Sequence, residues 1–194
     1  MPTTHRRAAL HRATAAAQSQ PWWFSTRTGN AGPGRFDLAG GGTCYLAHTP
    51  AAALLEAAID PDVEDPVIVV DDLERLTVWS GPVPSARNLA DTTRPSVPGL
   101  TGEIGTVVPY DLAWLWADAF RAAGRAGISY RSRFGQDRSV ALFSESAGAP
   151  VDETDARYRG TLRRLPALAF LGALPKEMVT VIGEGSDYEQ APAP

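Results

Sequence analysis

The sequence predicts one α+β domain built on short strands, and three observations carry that expectation. Apolar runs of about four residues, rich in β-branched and aromatic side chains, recur between Pro, Gly and Asp punctuation. Three stretches carry helical character instead, near 50–59, 111–123 and 154–165. The length of 194 residues, with 44% hydrophobic and 21% charged side chains, suffices for one core, since such a domain hides roughly 70% of its unfolded surface. No repeat or linker interrupts the chain, so the expected domain is residues 1–183, with a polar tail at 184–194 expected to be disordered.

The elements follow in order. The first forty residues carry little periodicity; turn signals at 29–34 and at Gly40-Gly41-Gly42 flank Arg35-Phe36-Asp37-Leu38. Cys44-Tyr45-Leu46-Ala47 reads as a short strand. Thr49-Pro50 then starts a helix, with threonine as N-cap and proline at the first helical position. That helix runs from Ala51 to Ile59, offers Leu54, Leu55, Ala58 and Ile59 as apolar residues, contains Glu56 and closes at Asp60-Pro61. Val67 to Val70 and Leu76 to Trp79 are strands. Residues 81–109 carry five prolines and no clear period, so they are either a functional lid or hide a short element. Asp111 to Ala123 is the clearest helix: Leu112, Leu115, Trp116, Ala119, Phe120 and Ala123 form the expected buried stripe, and Gly124 and Gly127 end it. Ile128 to Tyr130 and Val140 to Phe143 read as strands around a polar turn at 131–138. Residues 154–165 read as a helix and Met178 to Ile182 as a last strand.

Composition excludes several classes. Cys44 is the only cysteine, which rules out an intrachain disulfide framework and fits a reducing compartment. His5, His11 and His48 lack metal-ligand spacing, so no metal is expected. The one lysine, Lys176, follows Leu174-Pro175 and cannot belong to a phosphate-binding P-loop. A net charge of −4 and a pI of 5.4 argue against a nucleic-acid or membrane-surface role. Two local basic runs, at 5–12 and 157–164, are either solvated faces or phosphate-binding patches. No apolar stretch approaches the ~20 residues of a membrane span, and the N-terminus lacks the apolar region of a secretory signal. The chain is expected to be cytoplasmic and unprocessed.

Two stock motifs fail. No Gly-x-Gly-x-x-Gly follows a strand, and Ser144-Glu145-Ser146-Ala147-Gly148 lacks the first glycine of a nucleophile elbow. What remains is a cluster: Gly34-Arg35-Phe36-Asp37, then Tyr45-Leu46-Ala47, then Ala53-Leu54-Leu55-Glu56. An arginine beside glycine, where a ligand can approach the backbone, matches a diphosphate through planar bidentate donation. Arg35 has that setting; on residue type alone Arg35 and Arg12 both read as surface arginines.

With Leu10-His11-Arg12 before that cluster, and with Tyr130-Arg131-Ser132-Arg133 and Ala141-Leu142-Phe143 after it, the chain resembles the RES-domain family over roughly residues 9–145. Asp37 stands where many members carry asparagine. The resemblance implies an ADP-ribosyltransferase-like fold, two small mixed or antiparallel sheets with flanking helices around an NAD cleft. It implies a bacterial toxin of a toxin–antitoxin pair that cleaves the nicotinamide–ribose bond of NAD+ by hydrolysis or phosphorolysis. NAD+ is then a substrate, phosphate a possible co-substrate, and no cofactor is needed. A cognate antitoxin protein is the implied partner.

The chemistry agrees with that reading. Nicotinamide on NAD+ is already a cationic leaving group and needs no general acid. Cleavage passes through an oxocarbenium-like ribose, which one carboxylate can stabilise. By resemblance Glu56 is that carboxylate, Arg35 and Ser132 complete the catalytic set, and Arg12, Arg35, Tyr45, Tyr130 and Ser132 contact NAD+. Tyr45 either stacks on the nicotinamide ring or is a plain core tyrosine, and Ser132 either donates to the ligand or satisfies a turn. Arg131, Arg133 and Arg138 either anchor an acidic partner segment or solvate the turn. Two other functions remain open: ADP-ribosyl transfer to a macromolecule, and a non-catalytic nucleotide- or partner-binding module.

Overall fold

A computed structural model describes residues 9–28, 33–59, 67–83, 86–93, 102–105, 107–134, 137–150 and 162–180. Several expectations fall outside them: positions 5–8 of the first basic run, the turn at 29–32, the closure at Asp60-Pro61, positions 154–161 and 181–182, and the tail at 184–194. The elements in chain order are β1 (Leu10–Ala15), β2 (Gly42–Ala47), α1 (Pro50–Ala58), β3 (Ile68–Val69), α2 (Val70–Glu74), β4 (Leu76–Gly81), β5 (Leu89–Asp91), α3 (Asp111–Ala122), β6 (Gly127–Arg131), β7 (Arg138–Ser144), β8 (Arg163–Pro166) and β9 (Val179–Thr180). Short 3₁₀ turns lie at Gly102–Gly105, Ala167–Ala173 and Lys176–Met178.

The fold is α+β, but its strands gather differently from the expected pair of small sheets. Seven form one sheet in the order β5-β6-β7-β2-β1-β4-β8, and β3 and β9 make a separate parallel pair. Within the large sheet only β5 and β6 run parallel. The register explains why the expectation came close. β1 pairs with β4 from Leu10 to Ala15, and β2 pairs with β7 from Gly42 to Ala47. Between themselves β1 and β2 share only the rung His11↔Ala47. The sheet is two halves hinged on one pair, and a cleft opens where those strands part.

That rung extends into a row across the sheet. Tyr130 faces Ser139, Ser139 faces Ala47, Ala47 faces His11, and His11 faces Ser80. Directly opposed residues share a face, so these five lie side by side. The row is bulky at Tyr130 and small at Ser139 and Ala47. It therefore leaves room on that face, and α1 packs over part of it.

Local chemistry accounts for the helices. Thr49 Oγ1 accepts from Ala52 N at 3.1 Å, Pro50 opens the first turn, and Ile59 N closes on Leu55 O at 3.2 Å. Ala52, Ala53, Leu54 and Leu55 bury α1 against the core, while Glu56 and Ala57 face open space. On α3 the buried face is Ala113 and Ala117, flanked by part-buried Trp116 and Phe120. The expected stripe is thus rotated: Leu112 is 52% and Leu115 67% exposed. Small alanines let the helix lie close to β6, and Phe36, Ile128 and Tyr130 supply the bulk beneath it.

Other expectations are corrected by context. β1 was hidden by its polar residues, because its middle lines a cavity rather than a core. Val70 opens α2 instead of ending a strand. Within 81–109 the hidden element exists: β5 adds in parallel to β6, and a 3₁₀ turn follows. Of the helix expected over 154–165, positions 163–165 belong instead to β8, an exposed strand paired with β4 at the sheet edge among the described residues, a place that tolerates Pro166.

Candidate active site

The loop before β2 is fixed from three sides. Asp37, fully buried, accepts from Gly34 N at 2.7 Å, from Ser25 Oγ at 2.7 Å and from Tyr45 Oη at 2.8 Å. Tyr45 Oη in turn accepts from Phe36 N at 2.8 Å, and Trp114 Nε1 on α3 donates to Gly34 O at 3.0 Å. Arg27 adds a bond to Asp37 O at 2.6 Å and an ion pair with Asp118 at 2.8 Å. Gly34 is glycine for a reason of space: a Cβ there would sit 2.6 Å from Tyr45 Oη. With Phe36 and Asp37 anchored, Arg35 is left to project. Its Nη1 donates to Val107 O at 2.8 Å, and its guanidinium lies 4.7 Å from the centre of the Tyr110 ring.

Beside this loop lies a cavity of about 550 Å³, within the range of small-molecule sites. Five sequence-predicted residues line it: Arg12, Arg35, Tyr45, Glu56 and Tyr130. The sixth, Ser132, is buried; its Oγ accepts from Phe134 N at 3.3 Å within the turn, and it favours the ionised form of Glu56.

Glu56 enters from the last turn of α1. Solvent reaches it through the open cavity, while the surrounding walls withdraw enough water to raise its carboxyl above the usual value of 4.5. Hydrogen bonds from Ser132 and Tyr130, the charge of Arg35, and Ser139 oppose that rise in decreasing order. Tyr130 Oη donates to Glu56 Oε2 at 3.3 Å, and its ring packs edge-on to Phe36 at 4.8 Å. Burial, and then the neighbouring carboxylates Asp37 and Glu56 respectively, raise Tyr45 and Tyr130 well above the ordinary tyrosine range. Both phenols therefore stay protonated donors at neutral pH.

The two arginine candidates are held differently. Strand alternation puts Arg12 on the face opposite His11 and Ala13. Its Nη1 donates to Trp23 O at 2.9 Å and to Cys44 Sγ. Burial raises the Cys44 thiol, with Arg12 opposing, and the group is a structural partner rather than a nucleophile. Arg35, by contrast, acts electrostatically on both Glu56 and Tyr130.

Two residues that the motif reading left aside belong to the same wall. Arg133 lines the cavity with its Nη1 buried and unpartnered among the described residues, so it turns inward rather than solvating the turn. Arg138 stays outside, 3.8 Å from Asp91. Ser139, 1% exposed, also carries an unpartnered buried Oγ on the cavity wall. A signal for Ser139 existed: a polar residue immediately before the apolar run Val140 to Phe143. Arg133 carried none, because turn residues show no period that fixes their direction.

Residues 6–162 match the family model of the RES domain. Among solved structures, the fold is similar to the toxin in the crystal structure of the M. tuberculosis MbcT–MbcA toxin–antitoxin complex. The match has a TM-score of 0.55 and 16% sequence identity, and covers 84% of this chain and 86% of that chain. At that identity the likeness is one of fold. No curated protein sequence matches this chain.

Proposed function

This chain belongs to the RES-domain family, and on that premise we propose that it cleaves the nicotinamide–ribose bond of NAD+ and acts as the toxin of a toxin–antitoxin pair. The observation that carries the reading is Glu56: a carboxylate facing a cavity of about 550 Å³, steadied by Tyr130 and Ser132, with the Arg35 guanidinium beside it.

The steps follow from these residues. Arg35 pairs with the diphosphate and sets the depth of the dinucleotide, as a planar fork on phosphate oxygens. Tyr45 Oη is fully engaged by Asp37 and Phe36, so its ring edge, not its hydroxyl, is what it offers to the nicotinamide end. In this reading Glu56 meets the ribose. As the bond to the departing nicotinamide lengthens, positive charge grows on the sugar, and an ionised carboxylate in a partly dry cavity stabilises it more than water does. Water or inorganic phosphate then takes the anomeric carbon. The solved neighbour is a toxin in complex with its antitoxin, which supports a protein antitoxin as the partner of this chain.

Purified protein incubated with NAD+, with and without inorganic phosphate, tests the reading by chromatography of the products. The expected result is free nicotinamide without any macromolecular acceptor. Nicotinamide release only when a protein or nucleic acid is added would make the chain a transferase; none under either condition would leave it a binding module.

A further inference from the structure

Ser139, the second residue of β7, lies within the row Tyr130–Ser139–Ala47–His11. It is 1% exposed, and its Oγ has no partner in hydrogen-bonding geometry among the described residues. A buried hydroxyl without a partner costs stability, so its retention calls for a use. Its position defines one. Tyr130 is its direct cross-strand neighbour on the same face, and Tyr130 Oη touches Glu56 Oε2. The Ser139 hydroxyl thus lies behind the carboxylate, next to both groups, and too deep to meet a ligand itself.

We propose that Ser139 is a positioning residue for Glu56: its hydroxyl rotates to donate to the carboxylate when Glu56 is ionised, and is released when Glu56 is protonated. A hydroxyl hydrogen is free to turn toward whichever acceptor its neighbours present, and Ala47 on the other side leaves space for the small side-chain rotation required. The groups facing Glu56 divide the work. Tyr130 on β6 and Ser132 beyond it donate from one flank, and Arg35 from the loop before β2 supplies positive charge. Arg133 from the β6–β7 connection and His11 and Arg12 from β1 line the same cavity. Ser139 is the donor in the sheet floor, and it favours the charged form, as its weak opposing pull on the Glu56 carboxyl agrees. The inference rests on the proposed role of Glu56 for its consequence in turnover, but not for its geometry.

The test uses the full chain with Ser139→Ala and Ser139→Thr. With Glu56 protonated, loss of the hydroxyl should leave the melting temperature unchanged or slightly raised; with Glu56 ionised it should lower it, because a donor to the carboxylate is gone. Titration of the Glu56 carboxyl by carbon-13 NMR, assigned with Glu56→Gln, should move to higher pH in Ser139→Ala and return in Ser139→Thr, which keeps the hydroxyl. In NAD+ turnover the acid limb of kcat should move the same way. At a pH on that limb kcat should fall about 3- to 10-fold, the scale of one hydrogen bond to a charged group or somewhat less, with KM changed under about twofold. An unshifted Glu56 titration in Ser139→Ala overturns the proposal. If the wild type cleaves no NAD+, the functional reading fails, and the carboxyl titration still decides the role of Ser139.

Discussion

Arg12 and Arg35 border one cavity from opposite faces of the parted sheet, and they differ in what they are tied to. Arg12 spends Nη1 on the exposed Trp23 carbonyl and on the buried Cys44 thiol of β2. Arg35 rests on the Val107 carbonyl and the Tyr110 ring and acts on Glu56 and Tyr130. The first joins the two halves of the sheet; the second belongs to the carboxylate. Sequence motifs place both near the site, and only the pleat of β1 separates a guanidinium that braces the cleft from one that charges it.

The carboxylate end should show the largest effect. Glu56→Gln keeps the shape, removes the charge, and is expected to lower kcat by ~10²–10³, the usual loss when one stabilising group is removed. Stability should move the other way. Burial raises the Glu56 carboxyl above its unfolded value, so its favourable contribution is complete only below the unfolded pKa and is lost as pH rises through the folded one. At neutral pH the carboxylate is a burden, and Glu56→Gln should melt higher than wild type there and converge with it in acid. Calorimetry across pH checks the sign. Equal melting at every pH would mean that the carboxylate is not desolvated, and would remove the basis for separating a strained acidic end from a braced basic one.

The arginines come next in size. Arg35→Lys keeps the charge and loses the planar fork, which should weaken NAD+ binding by roughly 10- to 150-fold, the equivalent of ~1.5–3 kcal/mol for a charge-assisted contact. Arg12→Lys should weaken binding less and lower the melting temperature more, because it gives up bonds to Trp23 and Cys44. Titration calorimetry and thermal melting on both variants sharpen the comparison. If Arg12→Lys has the larger effect on affinity, then Arg12 holds the diphosphate and Arg35 braces the loop.

How much of this was legible varies with the physics of each segment. Thr49-Pro50 and the β-branched runs announce their elements, because caps and strand preferences act locally. Glu56, Tyr45 and Arg35 stand out through motif spacing, since a short loop, a strand and the following helix bring them to one cavity in few residues. Ser132 arrives from far along the chain, through β6, and only the resemblance named it. Asp37 looked like a minor departure, yet it organises the loop by accepting from Gly34, Ser25 and Tyr45. No sequence pattern states how many donors will converge on a buried carboxylate. The single rung between β1 and β2 was equally hidden, since pairing register depends on the neighbours each strand already has.

The smallest effect tests the orientation of α3, whose buried face is rotated from the one periodicity selects. Trp116 and Phe120 belong to the expected stripe and do pack on the core; on either side of them Leu112, Leu115 and Ala119 compete with Ala113 and Ala117, and hydrophobicity alone favours the leucines. The structure chooses the alanines because β6 and the Phe36–Tyr130 pair come close enough that only a small side chain fits between. Leu115, 67% exposed, should therefore accept Leu115→Gln with a stability change within about 0.5 kcal/mol, as surface positions do. The same substitution on a buried stripe would cost several times more, because a leucine moved from core to water forfeits ~1.5–3 kcal/mol. Denaturant melts of Leu115→Gln and wild type distinguish the two faces, and a loss of about 2 kcal/mol or more would turn α3 back to the face that its leucines advertise.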